Sequence, residues 1–160
     1  MQLTNIKNSI IIILVTKIIS SVTFSDIARI VELDRASFPD PWSVDSYISE
    51  VKNPCSVYLA YHVGGYIVAF SGLWIDEDCH LVTICTDLKY RRQGIGEELL
   101  SENIKVASFR GGKTMSLEVR EKNIPARALY EKFGFLQVGF RPNYYHDNGD
   151  NAIIYLLELL

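Results

Sequence analysis

Three short stretches carry residue types from which a chemical step can be assembled. The first, Arg91-Arg92-Gln93-Gly94-Ile95-Gly96, is a glycine-rich link leading into an apolar helical pattern. Such a link points backbone N–H groups outward at the positive end of a helix, which suits a phosphate or pyrophosphate, and its arginines add positive charge nearby. A glycine-rich turn with solvated arginines is the competing reading. The link lacks the Gly-Lys-Ser/Thr of a nucleoside triphosphate loop and the third glycine of a dinucleotide fingerprint, so ATP and NAD are not expected here. The second stretch, Ser116-Leu117-Glu118-Val119-Arg120, alternates as a strand and sets Glu118 on the face opposite Leu117 and Val119. On that face Glu118 either accepts a proton or pairs with Arg120. The third feature is Tyr130 on the next helical segment, either a proton donor or a packed ring whose hydroxyl finds an ordinary acceptor.

Other reactive residues suggest less. His62, His80 and His146 lie far apart without a local carboxylate pattern, so no metal is expected and surface or supporting roles are. Cys55, Cys79 and Cys85 are odd in number and not closely paired, which predicts reduced thiols. A covalent cysteine route through Cys85 would need an activating base, and the sequence supplies none nearby.

The elements that must hold these residues follow from periodicity. The run Ile10 to Val15 is too short for a membrane span, which needs about 20 apolar residues, and no small-x-small cleavage site follows it, so it predicts the first strand. Ile27, Ile30, Val31 and Asp34 fall at helical spacing behind Ser25 as a cap, and that helix should stop near Phe38-Pro39. Ser43 is placed to cap a second helix with Val44, Tyr47, Ile48 and Val51 on its apolar side, closed by Pro54. Val57 to Tyr61 and Tyr66 to Leu73 flank Val63-Gly64-Gly65 as a hairpin, and His80 to Thr86 is a further strand. Ile95, Leu99, Leu100, Ile104 and Ala107 define a sheet-facing helix ended by Gly111-Gly112 before the strand Met115 to Val119. A short helix from Ala126 to Phe133 follows Asn123 and Pro125 and leaves through Gly134. Phe135 to Phe140 and Ala152 to Leu159 complete the pattern as strands joined by a polar, aromatic loop. This order is mixed α/β with antiparallel hairpins and departs from the strand-helix alternation of a dinucleotide-binding domain.

Composition sets the outer bounds. The 160 residues are expected to form one domain over 1–160, and 48% hydrophobic residues are enough for an ordinary core. A formal charge of -3 lacks the basic footprint of a protein held by nucleic-acid phosphates, and no ribonucleoprotein signature is present, so direct nucleic-acid binding is not expected.

Taken together, Arg91-Arg92-Gln93-Gly94-Ile95-Gly96, Leu117-Glu118-Val119-Arg120 and the stretch from Asn123 to Phe135 resemble the GNAT superfamily of N-acetyltransferases. Within it they look like the branch that acetylates protein N-termini, especially the bacterial ribosomal-protein-alanine acetyltransferases. The resemblance runs from about Val22 through the final strand. It implies a mostly antiparallel seven-stranded sheet flanked by helices and acetyl-CoA as cosubstrate. Cofactor contacts are implied at Ile84, Cys85 and Thr86 on a strand, at Arg92, Gln93, Gly94, Ile95, Gly96 and Glu97 around the pyrophosphate, and at Asn123 near the reactive end. Glu118 matches the family's proton acceptor and Tyr130 its proton donor. Phe38, Trp42, Arg141, Asn143, Tyr144 and Tyr145 match segments that line the peptide side.

What the resemblance implies is direct attack in a ternary complex by the α-amine of a protein N-terminus, with alanine of a bacterial small-subunit ribosomal protein as the expected partner, in the cytoplasm. Asp40 and Pro41 lengthen the family's Phe-Pro-Trp-Ser arrangement, and Pro142 stands where some members carry a basic residue. Two alternatives stand beside this reading: acetylation of a small-molecule amine, and a non-catalytic acyl-CoA-binding module in which Glu118 and Tyr130 would be dispensable.

Overall fold

The computed structural model describes residues 15–160. Ile10 to Leu14, most of the expected first strand, lie outside the described residues; Val15 is exposed outside any strand, and strand β1 is Lys17–Ser21. Helices α1 (Ile27–Ser37) and α2 (Val44–Lys52) follow, then strands β2 (Ser56–Val63), β3 (Tyr66–Trp74) and β4 (Asp78–Thr86). Helix α3 (Ile95–Phe109), β5 (Thr114–Arg120), α4 (Ile124–Lys132), β6 (Leu136–Tyr145) and β7 (Asp150–Glu158) complete the chain.

Local chemistry accounts for most boundaries. Thr23 and Asp26 form a capping box around the short turn before α1, a reciprocal arrangement that displaces the simpler cap expected at Ser25. Phe38 is extended ahead of Pro39, as a residue before proline prefers, and α1 ends there. Ser43 Oγ accepts the Ser46 N–H at 3.1 Å and starts α2. Asn123 does the same for α4, accepting the Ala126 N–H at 3.3 Å. β6 runs on to Tyr145 where a loop was expected: β7 supplies partners at Arg141↔Ala152 and Tyr145↔Asp150, with an irregularity that absorbs Pro142 between them.

The strands form one seven-stranded sheet in the order β1-β2-β3-β4-β5-β7-β6, with every pairing antiparallel except β4 with β5. The two faces are covered by different helices. Tyr58, Ala60, Phe70 and Cys85 pack with Ile30, Val31 and Tyr47 of α1 and α2 on one face. Leu59, Tyr61 and Val68 meet Ile95 and Leu99 of α3 on the other. On that second face Met115, Leu117 and Val119 pack with Leu100 and Ala107 of α3 and with Tyr130 of α4. Because side chains alternate along a strand, Glu118 therefore belongs to the α1–α2 face, while Tyr130 reaches the sheet from the α3–α4 face. Among the described residues, no helix is long and apolar enough to cross a membrane.

Candidate active site

The parallel ladder between β4 and β5 is short. It pairs Asp78↔Thr114, Cys79↔Met115 and His80↔Ser116 and then ends. Beyond it β4 continues to Thr86 against β3, and β5 continues to Arg120 against β7. Among the described residues, the facing edges beyond Leu81 and Leu117 thus have no strand partner, and their N–H and C=O groups border a wedge that opens through the sheet. A bulge contributes to the departure: Gly72 pairs with Thr83 and Leu73 with Leu81, so Val82 is the extra residue of β4.

The glycine-rich link lies at the end of β4. Arg91 Nε donates to the Thr86 carbonyl at 3.0 Å, and Asp87 ties the same turn to α1 by accepting from Arg29 at 2.9 Å. Arg92 and Gly94 both adopt the left-handed conformation, at φ 62° and 82°, and Gly94 is the residue before α3. The first bond of the helix runs from the Glu98 N–H to the Gly94 carbonyl at 3.0 Å. The N–H groups of Ile95, Gly96 and Glu97 therefore have no acceptor within the helix. A Cβ placed on Gly94 would meet nothing within 4 Å, so the space beside the residue that opens α3 is not filled by packed side chains. Gln93 folds back on the Lys89 carbonyl at 3.4 Å, and the Glu97 side chain pairs with Lys132 at 2.7 Å, leaving its backbone as the part available to an anion.

Of the three β4 residues implied to border the cofactor, Ile84 packs towards α3, and Cys85 points to the opposite face among Tyr47, Tyr58 and Phe70. Burial pushes the Cys85 thiol up to about 12, which keeps it protonated and makes it a wall residue.

Glu118 lies at the wedge with 17% of its side chain exposed. His80 Nε2 is 3.1 Å from Oε2, and Arg141 is 3.5 Å from Oε1. The His80 hydrogen bond outweighs burial and, with the positive charge of Arg141, holds the Glu118 carboxyl below its ordinary range. The pairing of Glu118 with Arg120 that the sequence left open is not formed. Arg120 instead meets Asp147 at 2.7 Å and Asp150 at 3.6 Å, with its guanidinium 3.9 Å above the Tyr145 ring. On the other side Tyr130 is buried, packing edge-on against Phe135 at 5.7 Å and tilted against Tyr155 at 6.2 Å. Burial, with a smaller effect from Tyr145, raises its hydroxyl well above the usual phenol range, so it remains protonated.

The expected peptide-side residues divide into two groups. Trp42 packs on the α1–α2 face with Cys85 and Tyr47, and its N–H is fixed by Asp34 at 2.7 Å. Phe38 is exposed beside it in the chain. Arg141 and Tyr145 share the face of Glu118, and Tyr144 stands edge-on to Tyr145 at 5.2 Å. Asn143 adopts a left-handed φ of 51° and anchors the β6 irregularity through its N–H to Asn151 Oδ1 at 3.0 Å. His80, expected in a surface or supporting role, is the residue the sequence undervalued. Only the parallel register brings it to Glu118, and no local spacing announces that.

The acetyltransferase (GNAT) family profile matches residues 27–135. The chain belongs to that family. A Bacillus subtilis (strain 168) relative, named provisionally as a ribosomal protein bS18-alanine N-acetyltransferase, is 36% identical over 138 residues, or 85% of this chain and 91% of the relative. The crystal structure of the Escherichia coli ribosomal-protein-S18-alanine N-acetyltransferase matches with a TM-score of 0.84 at 31% identity, covering 90% of this chain and 94% of that one. Arabidopsis thaliana NAA60, solved in complex with acetyl-CoA, shares the fold at a TM-score of 0.82 and 17% identity over 90% of this chain and 99% of its own. This GNAT protein is an acetyltransferase, and acetyl-CoA is the cosubstrate its sequence motifs imply. The unpaired N–H groups at the start of α3, the open space at Gly94 and the free β4 edge fit that molecule's pyrophosphate and extended arm.

Proposed function

We propose that the protein acetylates the N-terminal α-amine of a protein, with alanine of the small-subunit ribosomal protein bS18 as its substrate, in the cytoplasm. The observation that carries the reading is the wedge between β4 and β5, with a carboxylate on its α1–α2 side and a protonated tyrosine on its α3–α4 side. The names of the Bacillus subtilis and Escherichia coli proteins support the substrate. Single-domain organisation over 1–160 is part of the same proposal.

Acetyl-CoA supplies an acetyl thioester and a thiolate leaving group. An α-ammonium has no lone pair for attack, so Glu118 accepts its proton, directly or through water. Backbone N–H groups at the unpaired strand edge are the donors for charge that develops on the carbonyl oxygen. The Tyr130 hydroxyl delivers a proton from the opposite face, so acid and base do not neutralise one another. Ile84, Cys85 and Thr86 border the arm of the cofactor. Arg92, Gln93, Gly94, Ile95, Gly96 and Glu97 hold its pyrophosphate, and Asn123 stands towards its reactive end. Phe38, Trp42, Tyr144 and Tyr145 wall the first side chains of the peptide, with Arg141 and Asn143 as polar contacts.

The test is a competition at equal concentration among an alanine-starting peptide, its N-terminally blocked form, a blocked lysine peptide and several small amines, read by mass analysis. Preferential acetylation of the free alanine terminus is expected. Selective modification of lysine or of a small amine would overturn the substrate assignment. Cofactor binding without turnover on any acceptor would instead favour a binding module.

A further inference from the structure

We infer that His80 is a positioning residue for acetyl transfer: it holds Glu118 Oε2 in place and leaves Oε1 as the oxygen that meets the incoming amine. The inference rests on Glu118 as proton acceptor and goes beyond it by dividing the two carboxylate oxygens between separate tasks. The imidazole is constrained on three sides. Its Nε2 lies 3.1 Å from Glu118 Oε2, its Nδ1 lies 2.9 Å from Ser116 Oγ, and the Trp74 ring lies against it with centroids 5.8 Å apart. Trp74 is itself tethered, its Nε1–H donating to Glu50 of α2 at 2.9 Å.

Ser116 makes the contact insensitive to the charge on the ring. A carboxylate oxygen can only accept, so Nε2 must carry a hydrogen. In the neutral imidazole Nδ1 then accepts from the Ser116 hydroxyl. In the imidazolium Nδ1 donates, and the hydroxyl turns to the Cys79 carbonyl, 3.4 Å from Oγ. Either way Oε2 keeps its donor. Oε1 is held differently. Its neighbour Arg141 is 3.5 Å away on a side chain that is 52% exposed, and the guanidinium also lies 5.3 Å from the Tyr144 ring centre. An α-ammonium arriving at Oε1 replaces Arg141 charge for charge, and Tyr144 offers the arginine a second resting place. The remaining groups around Glu118 do not compete for it: Arg120 on its own strand is engaged by Asp147 and Asp150, β6 adds the Tyr145 hydroxyl, and β7 places Ile154 opposite.

The experiment compares His80→Ala, His80→Gln and Ser116→Ala with Glu118→Gln in steady-state turnover of an alanine-starting peptide across pH. Because His80 depresses the Glu118 carboxyl, removing it should move the acid limb of kcat/KM to higher pH. His80→Ala should also lower kcat about ten-fold or more while leaving the KM for acetyl-CoA within about two-fold. His80→Gln retains an N–H donor and should recover most of kcat. Ser116→Ala should shift the limb in the same direction by less, and carries the test with His80→Gln if His80→Ala does not fold. An unmoved acid limb and near-normal kcat in His80→Ala, beside an inactive Glu118→Gln, would overturn the positioning role alone. Normal turnover by Glu118→Gln would overturn the proton-acceptor reading and this inference with it.

Discussion

The two glycines of the cradle should respond to alanine with opposite signs. Gly94 has φ 82°, a conformation that costs an L-residue about 1–2 kcal/mol, and its added Cβ would meet no atom within 4 Å. Gly94→Ala is therefore a backbone perturbation without an internal clash. Gly96 lies inside α3 without a positive φ, and its Cβ would sit 3.7 Å from Leu129 Cδ2, an ordinary contact. Replacing a helical glycine with alanine gains about 0.5–1 kcal/mol. For a chain of this size about 1 kcal/mol moves Tm by ~2–4 °C. Gly94→Ala should then melt about 2–8 °C below the wild type and Gly96→Ala about 1–4 °C above it, both measured without ligand. The KM for acetyl-CoA should rise for Gly94→Ala, because relieving the left-handed strain at the residue before α3 shifts the helix's first N–H donors. A destabilised Gly96→Ala, or a Gly94→Ala that melts at or above the wild type, would refute the assignment of backbone conformation to the first glycine and of helix to the second.

Glu118→Gln should cut turnover at pH 7 by about 10²–10⁴-fold, the range for a lost general base. An α-amine of pKa about 7.7–8.0 becomes mostly neutral by pH 9, so the variant should regain about six- to ten-fold between pH 7 and 9, and a flat profile would argue against a missing proton acceptor. Tyr130→Phe keeps the ring among Phe135 and Tyr155, so Tm should stay within about 2–4 °C while kcat falls at least ten-fold; unchanged kcat would remove Tyr130 as the proton donor.

The amino-acid sequence by itself determined the features that a few neighbouring residues can enforce. Ser43 was legible as a cap because a short polar side chain there reaches an N–H three residues on, and it acts so in the structure. Asn123, read only as lying near the start of α4, proves to be a cap of the same kind. The alternation of β5 put Glu118 opposite Leu117 and Val119, and the glycine-rich link named the start of α3. The motifs, which are contiguous, were sufficient for the family. Tertiary structure decided what depends on which strands become neighbours. The β6 segment after Phe140 reads as a polar loop until β7 gives it backbone partners. The sequence offered Arg120 as the partner of Glu118, but the packing of the β6–β7 turn engaged Arg120 with Asp147 and Asp150 and brought Arg141, read only as a peptide-side residue, beside the carboxylate. His80 meets Glu118 only because the parallel ladder pairs His80 with Ser116 before the strands separate. Registers between strands joined by a long crossover are fixed by burial over the whole sheet and leave no local signal in either strand.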